Sequence, residues 1–299
     1  MSDFWSFWII AIVTINLGGC AWLIWWTAKP IKGEPPTGES MGHSFDGIEE
    51  YNNPMPRWWL GLFWATIVFA VVYLVLYPGF GKWQGLLGWT SQNQWEAEVQ
   101  ATEARIKPLF DAFAARSVEE LAHDPEAVKV GQRLFLTNCA VCHGSNATGS
   151  VGFPNLTDGD WLYGSTPEAI KASIANGRVA AMPAWLGTLG DEGVNEVAHY
   201  VASLSRPEIA GERPELVAAG GPKFQTNCAM CHGADAKGNH LFGAPNLTDN
   251  VWLYGGNIAK IRETITHGRF GVMPAQEGRL SPEQIHVLTA YVYGLSHKQ

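Results

Sequence analysis

Two pentapeptides in this chain have the residue types and spacing for redox chemistry: Cys139-Ala-Val-Cys-His143 and Cys228-Ala-Met-Cys-His232. C-x-x-C-H is the spacing of a c-type haem attachment site. Two thiols three residues apart reach both vinyl-derived carbons on one porphyrin edge, and the histidine that follows falls under the iron as proximal ligand. A zinc site or a redox dithiol would also use C-x-x-C. Neither needs histidine directly after the second cysteine, and paired zinc motifs sit closer together than the 89 positions separating these two. The motifs use four of the five cysteines. The fifth, Cys20, lies in an apolar run and reads as a small buried hydrophobe. The expected cofactors are two covalently attached haem c groups, one held by Cys139, Cys142 and His143, the other by Cys228, Cys231 and His232.

An iron held by one histidine has an open face, and its sixth ligand decides between electron transfer and chemistry on a small molecule. Met182-Pro183 and Met273-Pro274 lie 43 and 45 residues after the first cysteine of their motifs. Histidine–methionine ligation favours the reduced state and closes the iron to oxygen and peroxide. The metal ligands are therefore expected to be His143 and Met182, and His232 and Met273, with no catalytic residue in the chain. Both loops have the length a cytochrome fold needs, which favours ligation within each copy; exchange of methionines between the copies is the alternative. His267 is a second-rank ligand candidate, and His199, His240 and His286 read as solvated or core histidines. The backbone at Pro154 or Pro245 is a plausible acceptor for each ligand histidine. Arg178 and Arg269 have either haem propionates or the surface as partners, and Trp161 and Trp252 either wall the pockets or fill a core.

The surrounding sequence repeats. Thr137–Gly144 returns as Thr226–Gly233, Pro154–Asp158 as Pro245–Asp249, Trp161–Gly164 as Trp252–Gly255, and Gly177-Arg178 as Gly268-Arg269. Two tandem domains follow, expected at 125–206 and 207–299, with Arg206–Pro214 as a linker rich in proline and charge. Asp124-Pro125-Glu126, Thr166-Pro167-Glu168 and Ser281-Pro282-Glu283-Gln284 have the form of helix starts. Gly177 would end the second of these helices. Neither copy shows convincing strand alternation.

The 299 residues are only 16% charged and include 14 tryptophans, which points to a membrane interface; a net charge of −8 disfavours nucleic acid as a partner. Residues 4–27 carry no charge and would span about 36 Å as a helix, enough to cross a bilayer. A cleaved signal peptide fits poorly: Asp3 replaces a basic start, the run is long, and no A-x-A site follows. Asn16, Gly18 and Gly19 hint at close packing against another helix. A second span covers 58–77, with aromatic residues at both ends. Lys29, Lys32 and Arg57 flank the intervening loop, 28–57, which is expected to be cytoplasmic and irregular. Residues 1–93 thus form a membrane anchor, with both termini outside, where covalent haem attachment takes place. A connecting helix over 94–124 carries the stripe Trp95, Val99, Ile106, Phe110 and Phe113, with Pro108 expected to kink or divide it. The expected fold is all-α: two transmembrane helices followed by two tandem class I cytochrome c-like domains.

The order C-x-x-C-H, P-N-L, M-P resembles small class I cytochromes c in each copy. Asp46-Gly-Ile-Glu-Glu-Tyr-Asn-Asn-Pro-Met-Pro-Arg-Trp-Trp59, followed by a span and Tyr77-Pro78-Gly79, resembles the dihaem cytochrome c subunit of cbb3-type cytochrome c oxidases. The likeness covers essentially the whole chain. It implies transfer of electrons from soluble cytochrome c through both haems to a membrane monohaem cytochrome c subunit. From there they would reach a haem–copper catalytic subunit that reduces oxygen and pumps protons. It also implies a bacterial inner membrane, crossed more than once, with the haem domains in the periplasm. Neither span contains a histidine, so this chain holds no haem–copper centre of its own. A dihaem carrier serving another respiratory enzyme shares every haem feature. A dihaem peroxidase would need a displaceable sixth ligand, and a haem-based sensor would need an output domain.

Overall fold

The computed structural model describes residues 1–297, and the chain divides into two compact units, Met1–Arg105 and Ile106–Gln299. In the first unit, α1 (Asp3–Thr27) and α2 (Arg57–Leu76) are long and apolar enough to cross a membrane. Most of their side chains are exposed and only Ser6 is buried; Cys20 is exposed, so the buried position expected for that thiol is not observed. Polar groups inside α1 bond back to the preceding turn: Thr14 Oγ1 donates to the Ile10 carbonyl (2.7 Å) and Asn16 Nδ2 to that of Ile12 (2.8 Å). Each bond satisfies one donor that would otherwise face hydrocarbon. The chain that leaves α2 folds back on the start of α1. The Lys82 amide donates to Ser6 Oγ (2.9 Å) and the Lys82 ammonium pairs with Asp3. The N-terminus and the exit from α2 therefore share one end of the helix pair.

The loop between the helices is not irregular. β1 (Ser40–Phe45) and β2 (Ile48–Tyr51) pair antiparallel, with Phe45 opposite Ile48. Asp46 and Gly47 turn the hairpin with φ of 50° and 83°. Positive φ at both central residues is the type I′ requirement that Asp-Gly meets.

α3 (Ser91–Ala114) runs undivided through Pro108. The carbonyl that proline orphans belongs to exposed Ala104, where water can satisfy it. Only the end of its apolar stripe is buried: Phe113 packs with Val118 and Leu121 of α4 (Val118–Ala122), whereas Trp95 is exposed.

The second unit repeats α5 (Pro125–Asn138), α6 (Ala140–His143), α7 (Pro167–Asn176), β3 (Arg178–Met182) and α8 (Leu186–Ser205). After α9 (Glu208–Glu212) the copies are α10 (Pro214–Asn227), α11 (Ala229–His232), α12 (Ile258–His267), β4 (Arg269–Met273) and α13 (Pro282–Ser296). The expected caps form at Asp124, Thr166 and Ser281, the last as a full capping box with Gln284. Arg206–Pro214 is not a free linker, because Ile209 of α9 is buried in the core.

The copies do not pack as separate bodies over 125–206 and 207–299. α5 and α7 of the first copy pack on α13 of the second, and α10 and α12 of the second pack on α8 of the first. One core joins Phe135, Ile170 and Ile174 to Ile285, Leu288 and Tyr291; the other joins Val194, Val197 and Val201 to Phe224, Ile261 and Ile265. The crossing is made by β3 and β4, which pair antiparallel from Arg178↔Met273 to Met182↔Arg269. Five residues are too few for alternation to stand out in sequence, yet every second side chain on each strand is exposed.

Candidate functional site: two histidine pockets and a crossed pair of methionines

Each C-x-x-C-H motif straddles a helix end. Cys139 closes α5, donating its amide to the Phe135 carbonyl (2.8 Å), and the chain re-enters a single turn, α6, that ends at His143. Cys228 and His232 repeat this at α10 and α11. The residue after the first cysteine pair's alanine points outward in both copies, Val141 at 92% and Met230 at 80% exposed, while both histidines are buried.

His143 Nδ1 lies 3.0 Å from the Pro154 carbonyl oxygen and His232 Nδ1 lies 3.2 Å from that of Pro245. A carbonyl can only accept, so Nδ1 carries the proton and donates it. Nε2 is then the nitrogen with a lone pair, the tautomer a metal ligand requires. Burial pushes the His232 imidazole below its ordinary range, outweighing the Pro245 carbonyl, which acts the other way. Burial also pushes the Cys139 and Cys228 thiols up to about 11, with a smaller contribution from Cys142 and Cys231 respectively.

The methionines reach these pockets crosswise. Met273 packs against the same core as Cys139, Ala140, Leu156 and Trp161, and Met182 against the same core as Cys228, Ala229, Leu247 and Trp252. Placement of each methionine beside the cysteines of its own copy, the favoured expectation, is not what the packing gives. The two copies carry the same pocket motifs, so nothing local distinguishes a loop that turns back from one that crosses.

The pockets suit a porphyrin bearing carboxylates. Trp161 Nε1 and Tyr163 OH are buried with no hydrogen-bond partner among the described residues, and Trp161 also packs against the apolar core of its pocket. Such donors cost free energy unless an acceptor meets them. Arg178 stacks on the Tyr163 ring (4.4 Å) and donates Nε to Ser173 Oγ (2.9 Å). Arg269 stacks on Tyr254 (4.4 Å) and donates to Thr264 Oγ1. Both arginines are half-buried and tied to the helix that precedes their strand, and the tyrosines beneath them were not singled out from sequence. Their repetition in Trp-Leu-Tyr-Gly was the signal available.

The other histidines stand outside the pockets. His199 Nδ1 donates to the Asn195 carbonyl (2.8 Å) within α8, His286 Nε2 to the Arg116 carbonyl (2.8 Å), and His267 is exposed. His240 lines a cleft between the copies with Lys237, Asp158, Asp160, Asp249, Trp161 and Trp252. Asp160 is exposed at the rim of this cleft, where partial loss of solvent and then the Asp249 and Asp158 carboxylates hold it above the ordinary carboxylate range. A carboxyl whose pKa rises on folding contributes stability below its unfolded pKa and loses that contribution as pH rises through the folded value. Asp160→Asn is therefore expected to be more stable than wild type at pH 7, with the difference vanishing below the ordinary value of 3.8. Denaturant titrations of the haem-loaded protein across that range test it.

Comparison with known proteins places these pockets. A family described as the N-terminal domain of cytochrome oxidase-cbb3, FixP, matches residues 37–84. Another, cytochrome c oxidase, cbb3-type, subunit III, matches 126–201 and again 215–292. A cbb3-type cytochrome c oxidase subunit CcoP from Rubrivivax gelatinosus is 47% identical, over 99% of this chain and 97% of its own length. The chain belongs to the CcoP/FixP family. A CcoP from Cereibacter sphaeroides is 40% identical over 90% of this chain, and a FixP from Rhizobium meliloti 41% over 86%, with 98% and 94% of those relatives covered. The first family match contains the β1–β2 hairpin and α2, and the repeated match coincides with the two C-x-x-C-H copies. Membership makes this a membrane-anchored cytochrome c subunit that binds haem c, and the apolar helices α1 and α2 fit the anchor.

Proposed function

We propose that the chain is the electron-transfer subunit of a cbb3-type oxidase, relaying electrons from soluble cytochrome c to a membrane monohaem cytochrome c subunit and so to the oxygen-reducing, proton-pumping haem–copper subunit. Two haem c groups are attached covalently, through Cys139 and Cys142 and through Cys228 and Cys231. Each supplies an iron that accepts and releases one electron. His143 and His232 offer Nε2 to the irons because the Pro154 and Pro245 carbonyls hold Nδ1–H. Met273 would supply the second ligand to the iron in the His143 pocket and Met182 to that in the His232 pocket. The observation that carries this reading is the crossed packing: each apolar core brings together one copy's cysteines and the other copy's methionine. An iron closed on both faces by such residues suits electron transfer and excludes peroxide, which disfavours a peroxidase. Trp161 Nε1 and Tyr163 OH would donate to haem carboxylates.

The antiparallel helix pair sends the chain out of the membrane at the end where it began. Lys29, Lys32 and Arg57 mark the opposite, cytoplasmic end, which supports a multi-pass inner-membrane protein with periplasmic haem pockets. Purification in mild detergent is the test. The expected result is two haems per chain that resist acid–acetone extraction, a co-purifying polytopic haem–copper subunit, and oxidation of reduced soluble cytochrome c by the complex. A complex without that polytopic subunit overturns the oxidase assignment.

A further inference from the structure

The methionine loops are seated on two glycines. Gly177 ends α7 with φ 68° and ψ −175°, and Gly268 ends α12 with φ 70° and ψ −175°. This corner of backbone space is essentially closed to residues with a Cβ. Neither position is only a turn. A Cβ on Gly177 would lie 2.3 Å from the Met273 carbonyl oxygen and 2.7 Å from the Ala275 nitrogen. A Cβ on Gly268 would lie 2.3 Å from the Met182 carbonyl oxygen and 2.9 Å from the Ala184 nitrogen. The obstacle is backbone in both cases, so no side chain can swing away to make room.

A hydrogen bond completes each contact at the same relative position. The Gln276 amide donates to the Ile174 carbonyl in the last turn of α7 (3.1 Å), and the Trp185 amide donates to the Ile265 carbonyl in the last turn of α12 (2.9 Å). In each pocket the helix of one copy thus grips the Met-Pro loop of the other, three residues past the methionine. The glycine is where one strand departs and the other arrives.

We propose that Gly177 and Gly268 are positioning residues for the sixth ligands: Gly177 seats the Met273 loop and Gly268 seats the Met182 loop, each across the boundary between copies. The proposal rests on methionine ligation, as proposed above. It does not depend on which haem each methionine caps, because it pairs glycines with methionines and not with haems. A methyl group at Gly177 pushes the Met273 backbone outward, lengthens the reach of its thioether and leaves an iron open on one face, with the thioether attachment and the histidine undisturbed.

The test uses the full-length, haem-loaded chain in detergent, separated from subunits with their own gas-binding haem. G177A, G268A, M273A and M182A are compared by carbon monoxide binding to the reduced protein and by the far-red methionine-to-iron charge-transfer band of the oxidised protein. G177A is expected to reproduce M273A, with one haem carbon monoxide-reactive and one not, and G268A to reproduce M182A. Gly278 has φ 82° but open space where its Cβ would be, so G278A carries backbone strain without the contact and should bind no carbon monoxide. The proposal is overturned if G177A keeps both methionine bands, if it loses a haem instead of a ligand, or if G278A opens an iron equally. Should G177A not accumulate, G268A asks the same of the other iron. Failure of both to accumulate with two haems counts against the proposal, since overall stability would then be the role of these glycines. If G177A matches M273A while M273A opens the haem on Cys228 and Cys231, the crossed ligation falls and the positioning role stands.

Discussion

Met273→Ala is expected to leave one of the two haems five-coordinate, carbon monoxide-reactive when reduced, and lower in potential. Methionine opposite histidine raises the potential of a haem iron, and axial ligands command a span of roughly 0.8 V; a fall on the order of 0.1–0.3 V is a moderate share of that. Potentiometric titration of the variant reads the shift directly, and the second haem should titrate as in wild type. Pairing variants locates the affected iron. His143→Ala strips the opposite ligand from the haem on Cys139 and Cys142. With crossed ligation, H143A combined with M273A alters one haem and leaves the other with its methionine band. H143A combined with M182A alters both. The reverse pattern would return each methionine to its own copy and remove the basis for the interlaced reading of the pockets.

Phe135→Ala should cost about 3–5 kcal/mol in the pocket that contains His143, the range for emptying a fully buried phenylalanine site. Phe135 has no exposed surface, and its ring centroid lies 5.5 Å from that of Tyr291 in α13. The loss should therefore appear in a helix far away in sequence. Native-state hydrogen exchange is the informative measurement. Amides in α13 should lose about two to three and a half orders of magnitude of protection, because 1.4 kcal/mol is a factor of ten and α13 opens with the core that Phe135 fills. Those in α8 and α10 should change little. If α8 loosened instead, the first copy would be packing on itself.

What could be read from residues alone was whatever is decided within a few positions. The C-x-x-C-H spacing, the caps at Asp124, Thr166 and Ser281, and the two apolar spans are local, and the caps and the apolar helices take the expected form. The Pro154 and Pro245 carbonyls are only slightly less local and were also legible, since the nitrogen of a ligand histidine needs an acceptor and the repeat supplies one at matched distance. Asp46-Gly47 carried a hairpin signal that a search for periodicity passes over, because the strands flanking it are only six and four residues long. The exchange of β3, α8, β4 and α13 was not legible for a different reason. Copies that share their pocket residues present the same apolar faces, so self-packing and mutual packing satisfy identical patterns. The choice between them rests on a short paired ribbon and on Arg206–Pro214, where Ile209 ties the supposed linker into the core.

The exchange of closing helices also constrains the order in which this protein can mature. As the chain is delivered from its amino end, the first C-x-x-C-H motif emerges long before α13, the helix that completes its core. A haem bonded there early, as proposed, would meet a half-built wall, and the pocket would shut only when α13 arrives. A chain stopped after the first copy would be left with α8 lacking α10 and with α5 lacking α13. It could close only by folding α8 back onto α5, an arrangement the full chain does not use.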